Sequence, residues 1–160
     1  MINQINVNEA MLEGAKEVFE TMVFMDITEA ADQNQGIEGW ALLGSISFKG
    51  TFEGCLAFCC NVDCAKAISA NMLGIESSDV SEEETCDAMG EVANMLMGSV
   101  KARFQEQFGN VEVSIPSVVN GRNLRSNLGE GAVRISTIVN VHDEHVANLS
   151  LLYRERRQHK

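Results

Sequence analysis

The apolar positions of this chain follow two periodicities, and the switches between them mark out its elements. A first helical stretch, which Asn8 can cap, runs to about Phe24. Met11, Ala15, Val18, Phe19 and Met22 recur on one face of it, and Glu13, Glu17 and Glu20 on the other. Asp32 to Gly39 is polar and reads as a loop. Trp40 to Phe48 alternates in part, Lys49-Gly50 is a turn signal and Phe52 to Cys60 follows, which predicts a hairpin. Val62 to Leu73 predicts a short helix stopped by Gly74.

Ser81 to about Phe108 predicts a long helix. Ser81 and Glu84 fit a capping box, Glu82 to Glu84 place negative charge on the positive end of the helix dipole, and Gly109 ends the run. Three strand-like stretches come next: Val111 to Val119, Ala132 to Val141, and Val146 to Tyr153. The last two are joined by His142-Asp143-Glu144-His145. Glu17-Val18-Phe19-Glu20-Thr21-Met22 is similar to Glu91-Val92-Ala93-Asn94-Met95-Leu96, and each lies on a helix followed by strands. That order suggests two similar halves sharing one sheet.

Composition narrows the possible functions. With 45% apolar and 22% charged residues, the 160-residue chain suits one soluble domain. Its formal charge of −11 argues against nucleic acid, whose recognition needs a cationic surface. The basic cluster Arg154, Arg156, Arg157, Lys160 reads as a solvated end. No signal peptide is visible and no stretch approaches ~18 apolar residues, so a cytoplasmic protein without a membrane span is expected. The five cysteines contain no Cys-x-x-Cys and are expected to be reduced thiols.

The chemistry concentrates on the long helix. At 100° per residue, Asp87, Glu91, Asn94, Gly98, Lys101 and Gln105 fall in one stripe, opposite Met89, Val92, Ala93, Leu96, Val100 and Phe104. The second set is the predicted core face, so the first faces solvent. Glu91 and Asn94, three residues apart, are neighbours there. Gly90 and Gly98 flank them, each costing about 1 kcal/mol relative to alanine in a helix interior. Close approach of another backbone would explain that cost.

At these residues the chain resembles a known family. Asp87-Ala88-Met89-Gly90-Glu91-Val92-Ala93-Asn94-Met95-Leu96-Met97-Gly98 is similar to the Glu-x-x-Asn signature of the CheC/CheX/FliY phosphatases. Leu43 to Gly50, Gly54 and Ala65 to Gly74 resemble the family's hairpin and following helix. Ser114 to Gly121 resembles the strand and turn after the signature helix. The likeness covers nearly the whole chain, as one domain over 1–160. It is nearest the CheX-like members, which carry one signature: the first half offers Glu17-Val18-Phe19-Glu20, with Glu20 in the asparagine's place.

The resemblance implies an α/β fold, a central and mainly antiparallel sheet with long helices packed on it, and a homodimer. It also implies a function: dephosphorylating the phosphoaspartate of a CheY-like response-regulator receiver. The receiver would supply the aspartate, a lysine and Mg²⁺, and this chain would need no cofactor or metal of its own. Asn94 would orient the attacking water, and Glu91 would pair with the receiver's lysine. Asp87, Gly90, Gly98 and Lys101 would form the docking rim, and Glu20 would be silent.

Other groups point less strongly to chemistry. In a strand Cys59 and Cys60 face opposite sides, so Cys55, Cys59, Cys60 and Cys64 read as buried thiols rather than a metal cluster. His142 and His145 flank a turn and read as surface residues rather than a zinc pair. The eight methionines are mostly core, with Met95 and Met97 able to border the docking face. Two further hypotheses stand beside the enzyme: a module that docks a receiver or dimer partner without hydrolysis, and a thiol or metal sensor.

Overall fold

A computed structural model describes residues 4–124 and 131–156. In chain order its elements are α1 (Gln4–Val18), β1 (Ile27–Glu29), β2 (Ala41–Lys49), β3 (Phe52–Asn61), α2 (Val62–Leu73), α3 (Glu82–Arg103), α4 (Gln105–Phe108), β4 (Glu112–Val113), β5 (Ser117–Gly121), β6 (Val133–Val141) and β7 (His145–Glu155). Two long hairpins form the middle of a seven-stranded antiparallel sheet. β2 pairs β3 from Ala41↔Asn61 to Lys49↔Glu53, and β6 pairs β7 from Val133↔Tyr153 to Val141↔His145. In the three-residue connection between β6 and β7, His142 and Asp143 both take φ 56°, the left-handed conformation, and the Glu144 N–H donates to the Val141 carbonyl at 3.3 Å.

The strand order β1-β6-β7-β3-β2-β4, with β5 also on β2, reads the same from either edge: a short strand, then a hairpin. Each half is a helix, short edge pairing and a long hairpin, and each half's short strands pair with the other half's hairpin. The duplication suggested by the two helical segments is thus present in the topology.

Alternation explains which face is buried. Along β3, Leu56, Phe58 and Cys60 enter the main core with Met11, Phe19, Met89 and Leu149, while Ala57 and Cys59 join Ala41 and Leu43 in a smaller cluster on the other face. Cys59 and Cys60 therefore do face opposite ways. One end of the main core is aromatic: Phe108 packs on Phe48, Phe52, Phe104 and Tyr153 with ring centroids 5.3–5.8 Å apart. Such pairs add roughly 0.5–1.5 kcal/mol each beyond their buried area.

Several sequence expectations are corrected. Asn8 is not a cap: the helix already includes Gln4, and the Asn8 carboxamide accepts a hydrogen bond from the Thr137 hydroxyl on β6. After Val18 the helix widens into a π-turn over Phe19–Val23 and ends at Phe24, φ 63°. The wider turn rotates the residues beyond it about the helix axis, so Val23 is buried where Met22 was expected, and Met22 is 52% exposed. The predicted helix to Phe108 breaks at Phe104, and Gln105 begins the separate α4.

Trp40 precedes its strand, and β1 was not anticipated. Val111 to Val119 is two short strands rather than one, divided ahead of Pro116. Arg154 is no solvated end: it lies in β7, 2.7 Å from Glu53. Arg157 and Lys160 lie outside the described residues.

Candidate functional site

Helix α3 is held from its start. Ser81 Oγ accepts from the Glu84 N–H, and Glu84 Oε1 accepts from the Ser81 N–H, both at 3.0 Å, the predicted capping box. An N-cap of this kind contributes about 1 kcal/mol. From α2, Ser69 Oγ donates to the Glu84 carbonyl at 3.1 Å. Near the far end, Arg103 reaches Ser99 Oγ on its own helix at 2.6 Å and the Glu17 carboxylate of α1 at 2.7 Å. Underneath, α3 sits hard on β2: a Cβ on Gly44 would come 2.6 Å from the Met89 carbonyl oxygen.

The face pressed on the sheet is Met89, Val92, Ala93, Leu96 and Val100, as the periodicity predicts. Opposite it, Asp87, Glu91, Asn94 and Gly98 are exposed and Lys101 is half-buried. Glu91 and Asn94 lie one turn apart on this ridge, with Cβ atoms about 5–6 Å apart by helix geometry. Among the described residues, neither side chain makes a hydrogen bond or ion pair.

The two glycines part company. Gly98 is exposed, and a Cβ there would meet nothing within 4 Å. Nothing inside the described chain asks for glycine at this position. Gly90, in contrast, is buried beneath Pro116 and Val118, where a Cβ would make ordinary contacts of 3.6–3.7 Å. Its expected place on the docking rim is therefore corrected: what covers Gly90 is this chain's own Pro116 and Val118 side chains, not a partner's backbone. Met97 is also buried and does not border the ridge, whereas Met95 is half-buried.

The segment covering Gly90 went unrecognised in the sequence as a border of the site. Phe48 pairs with Val113 and Ser45 with Ser117, three steps along β2 against four along the other strand. The surplus residue is a bulge at Ser114–Pro116. The Ser114 N–H donates to the Ser47 carbonyl at 2.9 Å, and Ser114 Oγ accepts from the Ser47 N–H at 3.0 Å. Pro116 was the available signal, since proline inside a strand-like run marks an edge or a bulge.

The remaining candidates are less suited to catalysis. Burial pushes the Cys59 thiol up to about 11. The Cys60 thiol is also pushed well above its ordinary value, by burial and by its hydrogen bond with the Cys64 thiol, so these sulfurs stay protonated and unreactive at neutral pH. His145 is half-buried in β7, its Nε2 3.9 Å from Glu144. Two clefts among the described residues, of about 320 and 410 Å³, are lined by other residues, the first around Trp40, Lys66 and Cys86 and the second around Lys49 and Glu112. Glu91 and Asn94 stand on a convex ridge. Such a surface cannot enclose a small molecule but can enter a concave partner. Among the described residues no helix is long and apolar enough to cross a membrane.

Comparison with known proteins gives one consistent picture. Residues 42–139 match the family described as chemotaxis phosphatase CheX. A stretch of 86 residues, 53% of this chain, is 31% identical to the CheY-P phosphatase CheX of Thermotoga maritima, and it spans only 55% of that relative's length. The fold is similar to that of the chemotaxis protein CheX from Vibrio vulnificus, with TM-score 0.78 and 21% identity, covering 96% of this chain and 99% of that one. It is also similar to a CheX crystallised as a CheX–CheY–BeF3–Mg²⁺ complex from Borrelia burgdorferi, with TM-score 0.71 and 21% identity, covering 97% and 100%.

Proposed function

Because this chain belongs to the chemotaxis phosphatase CheX family, we propose that it hydrolyses the phosphoaspartate of a CheY-like receiver, with Glu91 and Asn94 as its working pair. The observation that carries this reading is the pair itself: a carboxylate and a carboxamide, exposed and without partners among the described residues, one turn apart on a convex ridge. An acyl phosphate hydrolyses when water attacks phosphorus in line with the leaving carboxylate. Catalysis of this kind rests on positioning and electrostatics. The receiver brings the aspartate, a lysine and Mg²⁺, which offsets charge on the phosphoryl oxygens.

The contribution of this chain is small. The Asn94 carboxamide both donates and accepts, so it can hold the attacking water and aim it. A carboxylate is a weak base, and Glu91 serves better by pairing with the receiver's lysine and fixing the docking angle. Asp87, Gly98 and Lys101 form the rim, and the missing side chain at Gly98 lets the partner's backbone come close. The same reading makes the chain one cytoplasmic domain that pairs as a homodimer, which sedimentation would test.

The decisive experiment is a dephosphorylation screen against phosphorylated receivers. The wild-type protein should accelerate loss of phosphate from at least one of them. A receiver that binds with no acceleration would leave a docking module in place of an enzyme.

A further inference from the structure

Beyond the Glu-x-x-Asn pair, we propose that Ile115 is a docking residue that sets affinity for the receiver, an inference that rests on the phosphatase reading. Ile115 is 87% exposed. A lone apolar side chain on a loose surface loop would mean little. This one stands on a fastened bulge. On one side Ser114 is tied to Ser47 by two hydrogen bonds, and its hydroxyl also donates to the Ile115 carbonyl at 2.9 Å. On the other side Pro116 packs over Gly90.

The bulge runs beside the catalytic ridge. Gly44 marks one point, lying against Met89 and Ala93 of α3 and pairing with Val118. Phe48 marks the other, lying with Met97, Val100, Lys101 and Phe108 and pairing with Val113. Residues 114–117 therefore pass along the middle of α3. Ile115, on the Phe48 side of Pro116, lies along the part of the helix that carries Asn94 and Lys101.

The chemistry of the ridge makes such a residue useful. Asp87, Glu91, Asn94, Gly98 and Lys101 can orient a partner, yet they offer almost no apolar area. Charged rim contacts chiefly govern encounter and register, whereas tight docking draws on apolar anchors desolvated in a pocket. An isoleucine already fixed by its backbone loses little entropy on binding. The partner this surface fits is a phosphorylated receiver with an apolar recess beside its acyl phosphate.

The test is steady-state dephosphorylation across receiver concentrations by wild type, Ile115→Ser and Ile115→Val, with sedimentation of each. Ile115→Ser should raise KM about tenfold. Its kcat should stay within about twofold, its mass and melting temperature should not change, and Ile115→Val should recover most of the affinity. An unchanged KM, or a fall in kcat alone, overturns the role of Ile115 and leaves the phosphatase reading standing. A changed mass overturns it too, and assigns the bulge to contact between copies of this chain. A wild-type protein inert toward every phosphorylated receiver overturns the phosphatase reading and this inference together.

Discussion

Helices α1 and α3 occupy matching places in the two halves, and most of their buried positions agree, although Lys16 and Met22 are exposed where Gly90 and Leu96 are buried. When Glu17 is set against Glu91, Met11 meets Thr85, Ala15 meets Met89, Val18 meets Val92, Phe19 meets Ala93 and Val23 meets Met97, and all are buried. The exposed ridges agree as well: Glu13 with Asp87, Glu17 with Glu91, Glu20 with Asn94, Phe24 with Gly98. The differences that bear on chemistry lie on that ridge. Glu17 is bound to Arg103 at 2.7 Å, whereas Glu91 has no partner among the described residues. Glu20 has a carboxylate where Asn94 has an amide. The first helix also widens to a π-turn and stops at Phe24, where α3 continues straight through Gly98. One scaffold, used twice, can therefore keep its packing in both copies while its exposed residues diverge, because the two sets of residues sit on opposite faces.

The sharpest way to break this comparison is Asn94→Ala. If the amide aims the water, its loss should lower the dephosphorylation rate by roughly 10²–10³-fold, as when a positioned hydrogen-bonding group is removed from other active sites. Asn94 is exposed, so stability should change by less than about 0.5 kcal/mol. A receiver phosphatase assay beside a thermal melt measures both, and activity near wild type would move the chemistry away from α3.

Glu91→Ala should act on docking as well as turnover. Losing a charge-assisted pair with a lysine should weaken affinity about tenfold. Titration against a receiver held in its phosphorylated form by beryllium fluoride and Mg²⁺ reads the change. Unchanged affinity would end the pairing role and make Glu91 no more than Glu17 is.

Much of this contrast could be read from sequence. The hairpins, α2 and the capped start of α3 rest on local rules of alternation, turn residues and capping, and local rules need no partner. The ridge followed from helical period alone, because α3 is regular over Asp87 to Lys101. Legibility failed where distant contacts decide. Asn8 looked like a cap because its bond to Thr137 spans most of the chain. Met22 was misplaced because nothing local announces a π-turn. Gly90 looked like a partner contact because the strand that covers it returns through a bulge, and a one-residue slip in register leaves no periodic trace. Gly90 and Gly98 look alike in sequence; only the fold separates them.

Gly98→Leu sharpens that last distinction and should split activity from stability. A Cβ at Gly98 meets nothing, so leucine should gain the helix propensity that glycine lacks, up to about 0.8 kcal/mol. The melting temperature should rise by a few degrees. Phosphatase activity should fall, because a bulky side chain one turn beyond Asn94 would hold the partner off. Gly44→Ala is the counterpart: its Cβ would press on the Met89 carbonyl, so it should lower the melting temperature instead. A lowered melting temperature for Gly98→Leu would mean that this glycine, too, serves internal packing.

The smallest expected effect is at Glu20, and it tests whether the first half is silent for the reasons its structure gives. Glu20 is exposed in the π-turn, so Glu20→Ala should cost under about 0.5 kcal/mol and leave the dephosphorylation rate within about twofold. A carboxylate there cannot donate to water and would repel an approaching phosphoryl group. If that were the whole reason, Glu20→Asn would restore a site. Three further obstacles remain, however: Glu17 is held by Arg103, the π-turn displaces the residues after Phe19, and the helix ends at an exposed Phe24. Glu20→Asn placed in the Asn94→Ala protein should therefore recover no measurable activity. The comparison is made with one receiver, one assay and both backgrounds. Recovered turnover in the double variant would show that the two ridges differ by a single side chain, and that the broken helix and the Glu17–Arg103 pair are incidental to the silence of the first half.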